Sequence, residues 1–363
     1  MITQVPAAAA RVAIADGTSV RLGGSRVTFG ALEDALSGLR FDQPVGLVTS
    51  PSQVANGTVE RIERVVRCDL GILDCRAHAT AEEIVAASIA LRSARTVIAV
   101  GGGATIGVAK AVAAGTAAHL VAVPTTYSGS EMTGLYGITR QGRKTVVANP
   151  AVLPRVVVYD PSTTWSLPDQ VTIASLMNCL AHGIEAAWAG PPPVPGPALA
   201  VELAGWMAEG LTRLHNDPGR RDGRAELQAA AWLGGLCLST GGTALHHAIC
   251  QTLGGMLRTS HGLLNAAVLP AVMRFNSPAT AELQARIVEP LRPVAGDAGD
   301  DPPWEVVARL VADWEAAVRL GDLGLEVEDC DRAAELVMSG RGPQRNPRPV
   351  THDEVAALIR ELI

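Results

Sequence analysis

The sequence predicts an α/β domain built on a parallel sheet, followed by an all-α domain, in one chain of 363 residues. Three observations predict it. Short β-branched runs alternate with helical stretches through the first half, the pattern of a parallel sheet wrapped by helices. A glycine cluster at Gly101-Gly102-Gly103 stands directly between one such run and a helix start. After about Pro161 the apolar periodicity becomes almost wholly helical. The division falls between residues 160 and 161, with a cleft expected between residues 1–160 and residues 161–363.

Strands are expected at Arg11–Ala15, Thr18–Leu22, Val45–Thr49, Thr96–Val100, His119–Val123 and Val156–Tyr159. The first two flank Asp16-Gly17, a hairpin signal. Ala81–Arg92 carries apolar residues at helical spacing, and Thr80 with Glu83 fits a capping box at its start. Helices follow at Ile173–Trp188, Ala198–Leu214, Ala225–Leu238 and Leu245–Leu257, then at Pro303–Leu320, Ala333–Met338 and Asp353–Leu362. Gly190–Pro197, rich in proline, is a loop between two of them.

Composition narrows the function classes. A net charge of −6 gives no basic footprint for nucleic acid or anionic lipid. No apolar run approaches the roughly 20 residues that cross a bilayer, and Met1–Pro6 lacks the positive start of a signal peptide, so a cytoplasmic protein is expected. The cysteines (Cys68, Cys75, Cys179, Cys237, Cys250, Cys330) form no CxxC pair and read as reduced core residues. Among 30 basic residues only Lys110 and Lys144 are lysines, which draws attention to both positions.

Three groups of residues carry chemistry. Thr96–Val100 runs into Gly101, Gly102, Gly103, Ala104 and Thr105 and then a helix, an arrangement that aims backbone N–H groups at a phosphate. The spacing departs from G-x-G-x-x-G because Ile106 fills the sixth place, so a tight structural turn competes with a pyrophosphate site. His119–Val123 runs into Pro124, Thr125, Thr126, Tyr127, Ser128 and Gly129, placing hydroxyls where open α/β sheets bind ligands. In the helical half Asn178 and His182 stand four apart, as do His247 and Gln251, and His261 follows. Polar pairs on otherwise apolar helices cost stability unless partners meet them, so the five should converge. His246 lies about 100° around the helix from His247 and is expected to turn away.

Together these motifs resemble the iron-containing alcohol dehydrogenase superfamily. Gly101–Lys110, Pro124–Thr133 (PTTYSGSEMT), Leu153–Asp160, Leu245–Gly255 (LHHAICQTLGG) and Asn346–Thr351 (NPRPVT) are similar to the maleylacetate reductases within it. The resemblance implies a dehydroquinate synthase-like, iron-alcohol-dehydrogenase-like fold. It implies an N-terminal dinucleotide-binding domain, a helical catalytic domain and a homodimer. It implies NAD(P)H-driven reduction of the carbon–carbon double bond of maleylacetate to 3-oxoadipate. Metal-dependent members use one Asp and three His, and the matching positions here are read as Asn178, His182, Gln251 and His261. Two neutral amides in that set leave a two-histidine site, so no functional metal is expected.

On this reading Gly101, Gly102, Gly103, Thr105, Thr125, Thr126 and Ser128 hold the nucleotide, with Thr49 and Ser50 near the ribose. The uncharged Thr49-Ser50 pair leaves NADH and NADPH both open. His247 is the principal donor to the developing enolate, with His182 and His261 lining the same site. Lys144 would meet a substrate carboxylate. Tyr127, Asn178, Gln251 and Arg348 would contact the substrate, an unsaturated or keto acid. Gln251, at a position the relatives fill with His, also leaves open a metal-free reductase of another keto or enoyl acid. A non-redox lyase, isomerase or cofactor-binding scaffold on the same fold is the remaining alternative.

Overall fold

The computed structural model describes residues 17–22, 24–70, 72–74, 80–140, 143–189, 195–217, 219–296 and 298–363. The strands are β1 (Ser19–Leu22), β2 (Ser25–Phe29), β3 (Val45–Thr49), β4 (Ile72–Asp74), β5 (Thr96–Gly101), β6 (His119–Pro124), β7 (Leu135–Arg140), β8 (Arg143–Ala148) and β9 (Val156–Tyr159). Seven of them form one sheet in the order β1-β2-β9-β6-β5-β3-β4, parallel throughout except for the β1–β2 hairpin. Every residue of β3 and β5 is buried, which explains why VGLVT and TVIAVG are continuous apolar runs rather than alternating ones.

The described hairpin joins β1 to β2, a pairing the sequence reading did not name, and Arg11–Ala15 with Asp16 of the expected hairpin lie outside the described residues. Among the described residues β7 and β8 pair with each other and not with the main sheet, and LYGITR and RKTVVA show no apolar alternation to read.

In the strand-rich half the helices are α1 (Leu32–Ser37), α2 (Pro51–Ala55), α3 (Thr58–Glu63), α4 (Ala81–Ala90) and α5 (Gly103–Thr116). The capping box of α4 forms as the sequence predicts, Thr80 Oγ1 accepting from the Glu83 N–H at 3.2 Å and the Glu83 carboxylate from the Thr80 N–H at 3.0 Å. The helical half holds α6 (Asp169–Ala189), α7 (Gly196–Asn216), α8 (Arg224–Gly241), α9 (Leu245–Leu257), α10 (His261–Val288), α11 (Pro303–Asp313), α12 (Asp329–Met338) and α13 (His352–Arg360).

Three helix expectations change. Helix α10, 28 residues long, was hidden by Pro270 and Pro278 within it, yet its Leu264, Val268, Leu269, Val272 and Met273 are all fully buried. Tertiary burial outweighs the two missing backbone donors. Helix α11 stops at Asp313 instead of Leu320 because Glu315 adopts a left-handed φ of 54°. Residues 190–194 of the proline-rich loop are outside the described part, and α7 begins within the expected loop, at Gly196.

The halves are packed together. Trp232 and Leu236 of α8 lie against Val27, Phe29, Met132 and Tyr159 of the sheet side. Arg224, wholly buried, donates to the Tyr127 hydroxyl at 3.2 Å, to Thr172 Oγ1 at 2.8 Å and to the Leu167 carbonyl at 3.1 Å. Arg345 donates to the carbonyls of Ala189, Gly241 and Thr243, so one guanidinium caps the C-terminal ends of both α6 and α8. Cys68, Cys179, Cys237 and Cys330 are free thiols, Cys250 is buried with its Sγ 3.5 Å from His246 Nε2, and Cys75 is outside the described residues. Among the described residues no helix is long and apolar enough to cross a membrane.

Candidate functional site

Strands β5 and β6 run side by side with Gly101 opposite Pro124, so the two expected nucleotide loops leave the same end of the sheet together. The Thr125 N–H donates to the Gly101 carbonyl at 3.1 Å. Gly102 has an ordinary extended backbone, φ −80° and ψ −172°, so conformation does not demand glycine there. Space does. A Cβ on Gly101 would stand 2.5 Å from Thr105 Oγ1, one on Gly102 3.0 Å from the Thr126 methyl, and one on Gly103 3.2 Å from Ser128 Oγ. The glycine turn is thus pressed against the hydroxyls of Thr126 and Ser128. No side chain caps the start of α5, which leaves its first backbone N–H groups for an anion.

Ser50 is half-buried, its hydroxyl 3.0 Å from that of Ser52. Thr49 requires a correction: it is wholly buried and its hydroxyl donates to the Val100 carbonyl at 3.0 Å, a bond spent between β3 and β5. Tyr127 requires another. Its side chain is fully buried between the halves, with its hydroxyl bonded to Thr164 and Arg224, and it serves the core rather than a ligand.

The helical side of the site is a cluster of imidazoles. Asn178 and His182 project from one face of α6, His247 comes from the first turn of α9, and His261 opens α10. The His182 and His247 rings stack at 4.6 Å, and the His261 ring lies 6.1 Å from that of His247. Asn178 Nδ2 donates to the Ser128 carbonyl at 3.1 Å, which fixes its oxygen toward His247 Nε2 at 3.2 Å. The other nitrogen of His247, Nδ1, is 2.7 Å from Glu185 Oε2. Two acceptors therefore face the two ring nitrogens, an arrangement that a doubly protonated imidazole satisfies.

This geometry corrects the reading of Gln251. The residue packed against Asn178, His182 and near His261 is His247, while Gln251 is half-buried one helical turn further along α9. Three imidazoles and an amide oxygen thus meet, not two imidazoles and two amides. Such a set could hold a divalent ion, but it brings no negative charge of its own.

His246 also departs from expectation. It is fully buried beside His247, edge-on at 4.9 Å, and its Nε2 lies 3.4 Å from the Asn265 carbonyl. Burial pushes its pKa down to about 3, with the His247 charge adding to the effect, so it stays neutral. Burial likewise holds His182 well below the ordinary imidazole range, and its Nδ1 is a buried nitrogen without a hydrogen-bond partner.

Glu185 was not singled out from the sequence, although a lone carboxylate three residues after His182 in an apolar helix was a readable signal. Burial would raise its pKa, but the hydrogen bond and charge of His247 outweigh that and keep it below the usual carboxylate range. Glu185, His246 and His247 also come close enough to suggest a metal-binding trio. Both Glu185 oxygens are already engaged, one by the His246 N–H and one by His247, so the trio is better described as a hydrogen-bond array.

Two further expectations change. Arg348 stacks on Phe275 at 4.1 Å and pairs with Glu354 at 2.5 Å, which ties it to the C-terminal turn rather than to a substrate. Lys144 lies on β8 opposite Thr139, and β8 runs against α9; its side chain is outside the described part.

Residues 25–161 match the iron-containing alcohol dehydrogenase family, and residues 172–363 match the C-terminal part of the Fe-containing alcohol dehydrogenase family. Maleylacetate reductase 1 of Rhodococcus opacus is 38% identical over 281 residues, 77% of this chain and 75% of that protein. The crystal structure of maleylacetate reductase from Agrobacterium tumefaciens superposes with a TM-score of 0.80 at 29% identity, covering 93% of this chain and 95% of the other. An iron-containing alcohol dehydrogenase from Corynebacterium glutamicum gives a TM-score of 0.79 at 31% identity, covering 93% and 94%. The chain belongs to the iron-containing alcohol dehydrogenase family and, within it, is a maleylacetate reductase-like, NAD(P)H-dependent oxidoreductase.

Proposed function

We propose that this enzyme reduces the conjugated carbon–carbon double bond of maleylacetate, giving 3-oxoadipate, and that it does so without a resident metal. When bound, NAD(P)H supplies the hydride. The observation that carries the reading is the Asn178–Ser128 hydrogen bond, which ties the histidine cluster to the loop beside the glycine turn. A hydride donor seated on that turn and a proton donor on α9 would then meet across one substrate. His247 donates to the enolate oxygen as negative charge develops there and supplies the proton that completes the product. His182 and His261 line the same space. The half-buried Gln251 and the strand bearing Lys144 border it from α9 and β8.

Metal independence rests on charge. The converging donors bring no negative charge, and Glu185, the carboxylate beside them among the described residues, is spent on His246 and His247. The same reading makes the enzyme a cytoplasmic homodimer acting on a small acid.

The test is an assay of NADH and NADPH oxidation with maleylacetate beside a panel of 2-enoic and keto acids. Maleylacetate is expected to give the highest kcat/KM. If a different acid is preferred by tenfold or more, the substrate assignment fails while the reductase chemistry stands.

A further inference from the structure

The reading of His247 as donor leaves a question that the geometry answers: what decides which nitrogen does the work. Glu185 sits on α6, wholly buried, and reaches α9 with both oxygens. Oε1 accepts the backbone N–H of His246 at 2.8 Å, and Oε2 lies 2.7 Å from His247 Nδ1. Helix α9 has no capping side chain of its own, since Ala244 precedes its first residue. A carboxylate from another helix therefore satisfies one of its unpaired N–H groups, where the helix dipole also favours negative charge.

We infer that Glu185 is the positioning residue of this site, one oxygen fixing the start of α9 and the other fixing a proton on His247 Nδ1, so that Nε2 is the nitrogen presented beside Asn178, His182 and His261. The hydrogen bond at one imidazole nitrogen sets the role of the other. The ring is clamped from three sides: Glu185 at Nδ1, Asn178 at Nε2 and the stacked His182 ring on one face. Glu185 acts on the helix and the ring together, and His246 Nδ1 lies 3.3 Å from the same His247 nitrogen. The inference rests on the proposed role of His247, and its test separates the two.

Glu185→Gln keeps an amide oxygen for the His246 N–H but offers an N–H, not an acceptor, to His247 Nδ1. The cap survives and the clamp on the ring is lost. The variant is expected to retain the parent's thermal midpoint and KM for NAD(P)H, with kcat lowered about 10–100-fold, as partners that orient a working histidine typically are. Adding Glu185→Gln to His247→Ala should lower kcat no further, because Glu185 acts through that ring. Parent-like kcat in Glu185→Gln beside an impaired His247→Ala, or losses that multiply in the double variant, would overturn the inference.

A second readout does not depend on turnover. In protein labelled with ¹⁵N-histidine, the His247 ring signals are those missing from His247→Ala. They should show a proton held on Nδ1 in the parent and not in Glu185→Gln. An unchanged Nδ1 proton overturns the inference. If His247→Ala retains full activity, the proposed function loses its donor, while the ring signals still decide whether Glu185 holds the proton.

Discussion

Lys110 shows what a single retained side chain can mean. In an arginine-dominated chain it is entirely buried, its ammonium 2.6 Å from the Ser130 carbonyl, 2.8 Å from the Leu135 carbonyl and 3.2 Å from Thr133 Oγ1. A guanidinium would not fit a point of convergence built for one nitrogen. Lys110→Met strips those acceptors of their donor and should cost about 1–3 kcal/mol in urea unfolding. Burial lowers its pKa from 10.5 to about 7, against an upward pull from Glu131. A lysine depressed in the folded state binds fewer protons there than in the unfolded chain, so its share of stability grows as pH rises above 7. The half-buried Cys68 thiol, pushed up to about 11 chiefly by desolvation, acts in the opposite sense above about pH 9. The urea midpoint should therefore rise between pH 7 and about 8.5 in the parent, and the rise should shrink in Lys110→Met. For the proton donor, His247→Ala should lower kcat about 10²–10³-fold. His246→Ala should lower it less; the reverse order would move the donor role to His246. Asn178, His182 and His247 were legible because polar residues at helical spacing in apolar helices must be met by something. Thr49 and Tyr127 were not, because a sequence does not show which hydroxyls the fold spends on itself.

At the level of elements, adjacent parallel strands made the glycine turn and the PTTYSG loop readable, since both had to emerge at the same end of the sheet. What remained hidden was contact between loops. Gly129, at φ +69°, meets Gly235 of α8 so closely that a Cβ on Gly235 would stand 2.5 Å from the Gly129 carbonyl. Gly235→Ala must push the loop from the helix and should cost about 1–3 kcal/mol, read as a lower thermal midpoint. Gly102→Val presses on Thr126 instead, 3.0 Å away, where the threonine side chain is half-buried and can yield. That variant should fold and lose NADH affinity by about tenfold or more in a fluorescence titration, each tenfold being about 1.4 kcal/mol. Unchanged affinity would remove the nucleotide from this turn. Helix α10 escaped the sequence reading for a different reason: its prolines break the local rule while its buried face satisfies the global one.

For the whole molecule, the proposed metal independence rests on charge. Purified protein is expected to carry well under one equivalent of iron or zinc, with activity indifferent to chelators. Stoichiometric metal whose removal abolishes activity and whose return restores it would reverse that. Asn178→Asp supplies the missing anion beside three imidazoles and should gain affinity for a divalent ion in calorimetry. Light scattering should give twice the 37.6 kDa chain mass if the enzyme is the dimer proposed.

The Asn178–Ser128 bond also has a thermodynamic consequence. Any shift in the Ser128 loop on nucleotide binding must either keep or break a bond that orients Asn178, and Asn178 in turn faces His247. Occupancy of the glycine turn and the setting of the imidazole are then linked equilibria, and linkage is reciprocal. Whatever factor the nucleotide applies to the imidazole, the imidazole returns to the nucleotide. A substitution at Asn178, which lies on α6 and not on the glycine turn, should therefore register as a changed dissociation constant for NAD(P)H even with no substrate present.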